Sequence, residues 1–193
     1  MDSFKVGDKI IYPAQGIGIV EEITEETFDG QSCQILHIRL VESNTLVVIP
    51  SQSAAEIGLR KPISQKQVTS FFQFFKDCQV DISADWKDRY KENFDLMKSG
   101  QLKDIAIVYK TLYFLSQDKP LSFREKKMLE KARELIVSEL AASSLLCPKK
   151  ISQRLDHILA DSLKVLKADR EFWYFPDDNK DRRFLFISGY ERL

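Results

Sequence analysis

The sequence predicts an α+β protein in which a small N-terminal β domain precedes an all-helical domain. In residues 1–62, short runs of β-branched residues alternate with glycine, proline and Asp-Gly or Ser-Asn turn signals, which is typical of β-strands. After Pro62 the apolar residues recur with the 3.6-residue period of amphipathic helices. We therefore expect a β domain over 1–62, a helical domain over 63–143 and a helical, aromatic extension over 144–193.

Four short strands are expected in the N-terminal domain. Residues 7–13 form a first strand that a proline ends, and residues 16–23 form a second whose glycines suit a sharp bend. Residues 33–40 nearly alternate apolar and polar side chains, which predicts one buried face. Residues 45–50 are rich in β-branched side chains and again end in proline. Several short strands with tight turns are typical of a small barrel or a strongly bent sheet.

Five amphipathic helices are expected after the β domain. Two of them begin with a capping box, in which a serine and a Gln or Glu three residues later each accept a hydrogen bond from the other's backbone N–H. The pairs are Ser64 with Gln67 and Ser122 with Glu125. The aromatic and apolar residues within 171–189 predict a terminal hairpin. The expected helices span residues 64–76, 85–99, 102–117, 122–143 and 151–168.

The charge and the cysteines narrow the class of protein. The formal net charge is 0, so the overall charge gives no sign of nucleic-acid binding, but residues 119–133 hold six basic side chains against two acidic ones. Such a local basic face binds phosphates, or else is simply a solvated helix face. The three cysteines are scattered without a CxxC pair, which indicates reduced thiols in the cytoplasm and no disulfide or zinc framework.

The sequence contains no signal for a membrane or an enzymatic function. No stretch approaches the roughly 18 apolar residues of a membrane helix, and the N-terminus lacks the apolar core of a secretory signal. Neither a P-loop nor a GxGxxG motif is present, and two histidines without a clear nucleophile give little support for catalysis. Cys33 and His37 share a strand face but are too few for a metal site. We expect no cofactor, no metal and no small-molecule substrate.

Two blocks of residues stand out by their order and spacing. The first contains Phe4–Asp8, Tyr12–Gly18, Ile49–Pro50 and Gly58–Arg60, and the second contains Trp86, Arg89–Lys91, Ser99–Gly100, Leu121–Ser122, Glu125–Leu129 and Lys131–Arg133. The first block looks like the polymerase-interacting module of the CarD/CdnL family of bacterial transcription regulators, which is similar to a module of the transcription-repair coupling factor. The second resembles the DNA-binding helical domain of that family. The resemblance covers residues 4–142.

The resemblance implies a small Tudor-like β-barrel that binds the β subunit of RNA polymerase. An edge strand can extend a sheet of its partner, so the expected contact is the strand formed by Thr45, Leu46, Val47, Val48, Ile49 and Pro50. Some relatives carry arginines on this surface where this chain has Glu26 and Val48, so either the partner surface has changed too or the contact uses other pairs. The alternative is an ordinary barrel strand.

The resemblance also implies promoter DNA as a partner. Trp86 would take the family's role of a wedge at an unstacked base step in the minor groove, whereas spacing alone favours a buried tryptophan, because most indoles are buried. Asp88 stands where some relatives have a basic residue, which indicates a weaker contact. The candidate phosphate contacts are Lys87, Arg89, Lys91, Arg124, Lys126 and Lys127.

These expectations describe a transcription regulator that joins polymerase, touches promoter DNA at the upstream edge of the bubble and stabilises the open complex, in the cytoplasm at the nucleoid. The first alternative is a polymerase- or protein-binding adaptor that makes no DNA contact. The near-neutral helical domain and Asp88 favour it. The second alternative is an enzyme, for which the sequence supplies no catalytic set.

Overall fold

The N-terminal domain is an open antiparallel sheet. The computed structural model describes residues 4–28, 31–80 and 86–172. Its strands are β1 (Lys9–Tyr12), β2 (Gly16–Phe28), β3 (Gln31–Leu40) and β4 (Leu46–Pro50), and they pair in the order β1-β2-β3-β4. The predicted α+β class and the four strands are confirmed. The second strand is longer than expected, and a bulge between Val20 and Glu22 shifts its register.

The predicted barrel is wrong, because the two outer strands do not meet. After β4 the chain turns through a 3-10 segment (Ser51–Ser53) and a short helix, α1 (Ala54–Ile57), and returns to β1. There the backbone N–H of Ile11 donates to the carbonyl oxygen of Arg60 at 2.7 Å. Arg60 thus occupies the free side of β1, and among the described residues no strand pairs with the outer side of β4.

One face of the sheet builds a small apolar core. Ile10, Val20 and Ile38 are fully buried there, together with Leu36. Gly18 lies opposite these side chains, and a Cβ at this position would sit 2.5 Å from a methyl carbon of Ile38. The alternation seen in the sequence of β3 therefore does predict a buried face, and a glycine in β2 makes room for its side chains.

Five longer helices follow and confirm the expected pattern. They are α2 (Gln65–Asp77), α3 (Trp86–Lys98), α4 (Leu102–Asp118), α5 (Phe123–Ser143) and α6 (Pro148–Phe172). Both capping boxes are present, at Ser64 with Gln67 and at Ser122 with Glu125. No helix in the described ranges is long and apolar enough to cross a membrane.

The helical core continues past the boundary expected at residue 143. Ile151, Leu155 and Leu159 of α6 are fully buried in the same cluster as Phe75 and Leu112. The first half of α6 is therefore part of the helical body. Of the predicted terminal hairpin, residues 171 and 172 end α6, and the rest lies outside the described residues.

A buried ion pair joins the sheet to the helices. The guanidinium of Arg60 donates to both carboxylate oxygens of Glu139 in α5, at 2.6 and 2.8 Å, and to the carbonyl oxygen of Gly100 at 2.7 and 3.1 Å. The backbone N–H of Ile63 donates to the same carboxylate at 3.1 Å. Gly100 also packs on Pro13, where a Cβ would approach to 3.0 Å. The two domains are thus fixed to each other by directional contacts.

Candidate functional site

The outer edge of β4 offers backbone groups for pairing. Leu40 donates to the carbonyl oxygen of Thr45 at 2.9 Å, which turns the backbone of Thr45 toward β3. Antiparallel pairs alternate between bonded and non-bonded positions, so Val47 and Ile49 also face β3, whereas Leu46 and Val48 direct their N–H and C=O groups outward. This edge can accept a further strand.

The burial of the side chains alternates along β4 from Leu46 to Ile49. Ile49 is buried in the sheet core and Val47 is half-buried, while Leu46 and Val48 are exposed, the latter at 52%. Thr45 and Pro50 are also exposed. An exposed apolar side chain on an edge strand can pack against the side chains of an added strand. The expected polymerase-contact residues therefore lie on one edge strand, where the side chains of Val47 and Ile49 face the core and the other four are exposed.

The first turns of α3 and α5 lie side by side. The guanidinium of Arg89 in α3 donates to Glu125 Oε1 in α5 at 3.1 Å. The other oxygen of Glu125 accepts from the backbone N–H and the hydroxyl of Ser122, at 2.9 and 2.7 Å. Burial raises the pKa of Glu125, but the Ser122 hydrogen bonds and the Arg89 charge outweigh it and leave this pKa below its ordinary value. Glu125 is therefore ionised at neutral pH and ties the two helix starts together.

Arg89 does not fit the expected role of a phosphate contact. Its residue is only 3% exposed, and its guanidinium faces Glu125. A charged side chain is buried where a partner of opposite charge compensates for its lost hydration. Local sequence could not reveal this, because the partner lies on another helix. Arg89 positions α3 against α5 and is not available to a phosphate group.

The other candidate cations are accessible where the structure describes them. Lys91 on α3 and Arg124, Lys126 and Lys127 on α5 are all exposed. Asp88 is exposed as well, so an acidic group stands on the same helix as Lys91. The backbones of Trp86 and Lys87 open α3, and their side chains lie outside the described part of the structure.

The sequence expectations assign no role to Phe123, the most exposed phenylalanine of the described residues. Phe123 is the first residue of α5 and is 71% exposed, and the ammonium of Lys127 lies 4.7 Å from the centre of its ring. The signal was present, because Phe123 falls outside the apolar stripe of its helix. The capping motif Ser122–Glu125 accounts for the residues around Phe123 but not for its exposed ring.

His37 on β3 faces a hydroxyl group of the neighbouring strand β2. The ring of His37 forms a hydrogen bond with the hydroxyl of Thr24, at 3.0 Å between Nε2 and Oγ1. Within the described ranges, no group of three or more His, Cys, Asp or Glu side chains is arranged to hold a metal ion.

Comparison with known proteins finds a matching family for each of the two domains. Residues 4–63 match the family described as "CarD-like/TRCF RID domain", and residues 70–156 match "CarD, C-terminal domain". The chain is 34% identical over 148 residues to "Putative transcription factor YdeB" of Bacillus subtilis (strain 168), a match that covers 77% of this chain and 97% of that protein. It is also similar to the solved structure "CdnLNt from Myxoccoccus xanthus", with 38% identity, 33% of this chain, 90% of that chain and a TM-score of 0.28.

An open-edged sheet joined to a helical bundle, with a family match for each, defines a two-domain protein of the CarD type, whose N-terminal module is the Tudor-like RNA polymerase-interaction domain. The chain belongs to the CarD/CdnL family of RNA polymerase-interacting transcription factors. This family consists of regulatory proteins and not of enzymes. The matched helical region runs to residue 156, beyond the position where the resemblance ended at residue 142.

Proposed function

We propose that this protein binds the β subunit of RNA polymerase through the edge of β4. In the same complex its helical domain holds promoter DNA at the upstream edge of the bubble and so stabilises the open complex. The observation that carries the proposal is the pairing of two helix starts by Arg89 and Glu125. One of these helices begins at Trp86, and the other begins with exposed cations.

The proposed action needs no sequence-specific reading. Contacts from lysine and arginine to phosphates position a protein on DNA without distinguishing bases. A protein that binds the open promoter better than the closed one shifts the equilibrium by its difference in affinity. About 1.4 kcal/mol of such preference changes that equilibrium tenfold. A modest basic surface, tethered by polymerase at high effective concentration, is therefore sufficient.

Trp86→Ala should abolish the effect on the open complex and leave the attachment to polymerase unchanged. The reason is that the wedge would act only where base pairs are already opened. The measurement is the lifetime of the open complex on one promoter with matched polymerase, in the presence of wild type or variant. We expect wild type to lengthen this lifetime about tenfold and the variant to leave it within about twofold of polymerase alone.

Phe94→Ala is the matched control for this experiment, because it removes an exposed aromatic residue two turns further along α3. It should behave as wild type. If neither wild type nor Trp86→Ala changes the lifetime although both bind polymerase, the DNA role is wrong. The adaptor that makes no DNA contact, which the exposed Asp88 favours, would then be the better description.

Val48→Pro tests the strand edge. The N–H of Val48 points away from β3, so proline removes a donor to the partner and no bond of the sheet. A backbone hydrogen bond contributes about 1 kcal/mol, so affinity for polymerase should fall about fivefold. The measurement is equilibrium binding to polymerase without DNA. Val48→Ala separates the side chain from the backbone, and an unchanged unfolding midpoint shows that the sheet is intact. Wild-type affinity in Val48→Pro would place the contact elsewhere.

A further inference from the structure

Phe123 is exposed in a way that its place in the fold does not explain. At 71% exposure it contributes little to the helical core, although a phenylalanine gains free energy from burial. The serine before it and the glutamate two positions later already complete the capping box, so the start of α5 does not depend on this ring. A large apolar ring kept at the surface at the start of a helix is available to a partner.

The surroundings of the ring are cationic. Lys127 lies one turn further along α5, with its ammonium 4.7 Å from the ring centre, and Arg124 and Lys126 are exposed beside it. The acidic residue of the segment, Glu125, is engaged by Ser122 and Arg89 on the inner side of the helix. The outer surface at residues 123–127 therefore combines an aromatic ring with three cations.

This combination fits nucleic acid better than a protein surface. A protein that covered the ring would have to remove water from three neighbouring cations, whereas a polyanion neutralises them. Proteins that bind single strands use cations along the backbone and aromatic rings on which bases stack. A base inside a duplex has no free face, so the ring can stack only on a base that is unpaired or at the end of a stack.

We propose that Phe123 is a second aromatic contact to promoter DNA, which stacks on an unpaired base at the edge of the bubble. Arg124, Lys126 and Lys127 take the neighbouring phosphates. The inference rests on the proposed function, because it requires the helical domain to lie against melted DNA. The Arg89–Glu125 ion pair holds the start of α5 beside the start of α3, so Phe123 and Trp86 belong to the same end of the domain.

The test compares two promoter fragments of the same sequence, one fully paired and one forked with 2-aminopurine in its unpaired arm. Full-length wild type, Phe123→Ala, Phe123→Trp and Trp86→Ala are titrated onto each. Leu145→Ala is the matched control, because Leu145 is 95% exposed in the linker after α5. Phe123→Ala should lose about fivefold or more in affinity for the forked fragment, retain its affinity for the paired one, and lose the quenching of 2-aminopurine. Phe123→Trp should keep the affinity for both fragments and the quenching of 2-aminopurine.

The outcomes separate this inference from the proposed function. If wild type prefers the forked fragment and Trp86→Ala loses the preference, but Phe123→Ala matches wild type, the stacking contact is wrong and the function stands. If wild type shows no preference at all, both are wrong. If Phe123→Ala instead loses affinity for polymerase without DNA, the ring faces a protein and the inference is overturned. Unchanged thermal midpoints for all variants show that the comparison is between folded proteins.

Discussion

Glu139→Ala should lower the free energy of unfolding by about 3 kcal/mol or more. Glu139 is 2% exposed, and its carboxylate accepts two hydrogen bonds from Arg60 and one from the backbone of Ile63. Removal of one partner of a buried ion pair leaves the other charge uncompensated, which typically costs about 3–5 kcal/mol. The side chain of Arg60 is 18% exposed, so solvent compensates only in part for the lost carboxylate.

Urea unfolding of wild type and variant measures this change, and Glu134→Ala is the matched control. Glu134 lies on the same helix and pairs with Lys131 at the surface, where an ion pair contributes at most about 1 kcal/mol. The double variant with Arg60→Ala should lose less than the two single variants together, because it removes both charges. A loss in Glu139→Ala no larger than in Glu134→Ala would show that the junction does not hold the domains together.

Local patterns predicted those parts of the fold that local interactions determine. The capping boxes at Ser64 and Ser122 each depend on a residue three positions away, and both are present in the structure. The alternation in β3 and the 3.6-residue period of α4 likewise follow from which side of an element faces the core. Element type and approximate ends were therefore readable from the sequence.

Long-range pairings could not be read in this way. Arg60 and Gly100 both stood in the blocks that resemble the family, yet nothing in the sequence indicates that they meet each other and Glu139. Several short strands with tight turns predicted a small barrel, but strand patterns do not say which outer strand a returning segment will cover. Arg89 shares its basic residue type with its exposed cationic neighbours, but its partner Glu125 lies on another helix. In each case the decisive partner lies far away in sequence.

Lys110 is a further position at which a residue type misleads. A lysine in the middle of α4 would ordinarily be placed at the surface, yet it is 3% exposed. Its ammonium donates to the carbonyl oxygens of Phe75, Lys76 and Cys78, at 3.0, 2.9 and 2.7 Å. These carbonyls end α2, where helix carbonyls lack intrahelical donors. Burial lowers the pKa of Lys110, and the carbonyl groups around it are what make its charge tolerable there.

Lys110→Met should therefore lower the free energy of unfolding by about 2–4 kcal/mol, although methionine has a similar length and is more apolar. Each buried carbonyl that loses its donor costs about 1–3 kcal/mol, reduced where the helix end can relax toward water. The measurement is urea unfolding, with hydrogen exchange at the end of α2 as a local readout. Exchange of the amide of Cys78, which donates to the carbonyl oxygen of Phe74, should accelerate most.

Lys103→Met is the matched control, because Lys103 lies two turns earlier on α4 and is exposed, with its ammonium 5.2 Å from the ring centre of Phe74. An exposed interaction of this kind contributes at most about 1 kcal/mol. If Lys110→Met is as stable as Lys103→Met, water or other donors satisfy the end of α2, and the buried ammonium is not what holds that helix against α4. If the loss is confined to Lys110→Met, a single buried cation fixes the end of α2 in the helical core.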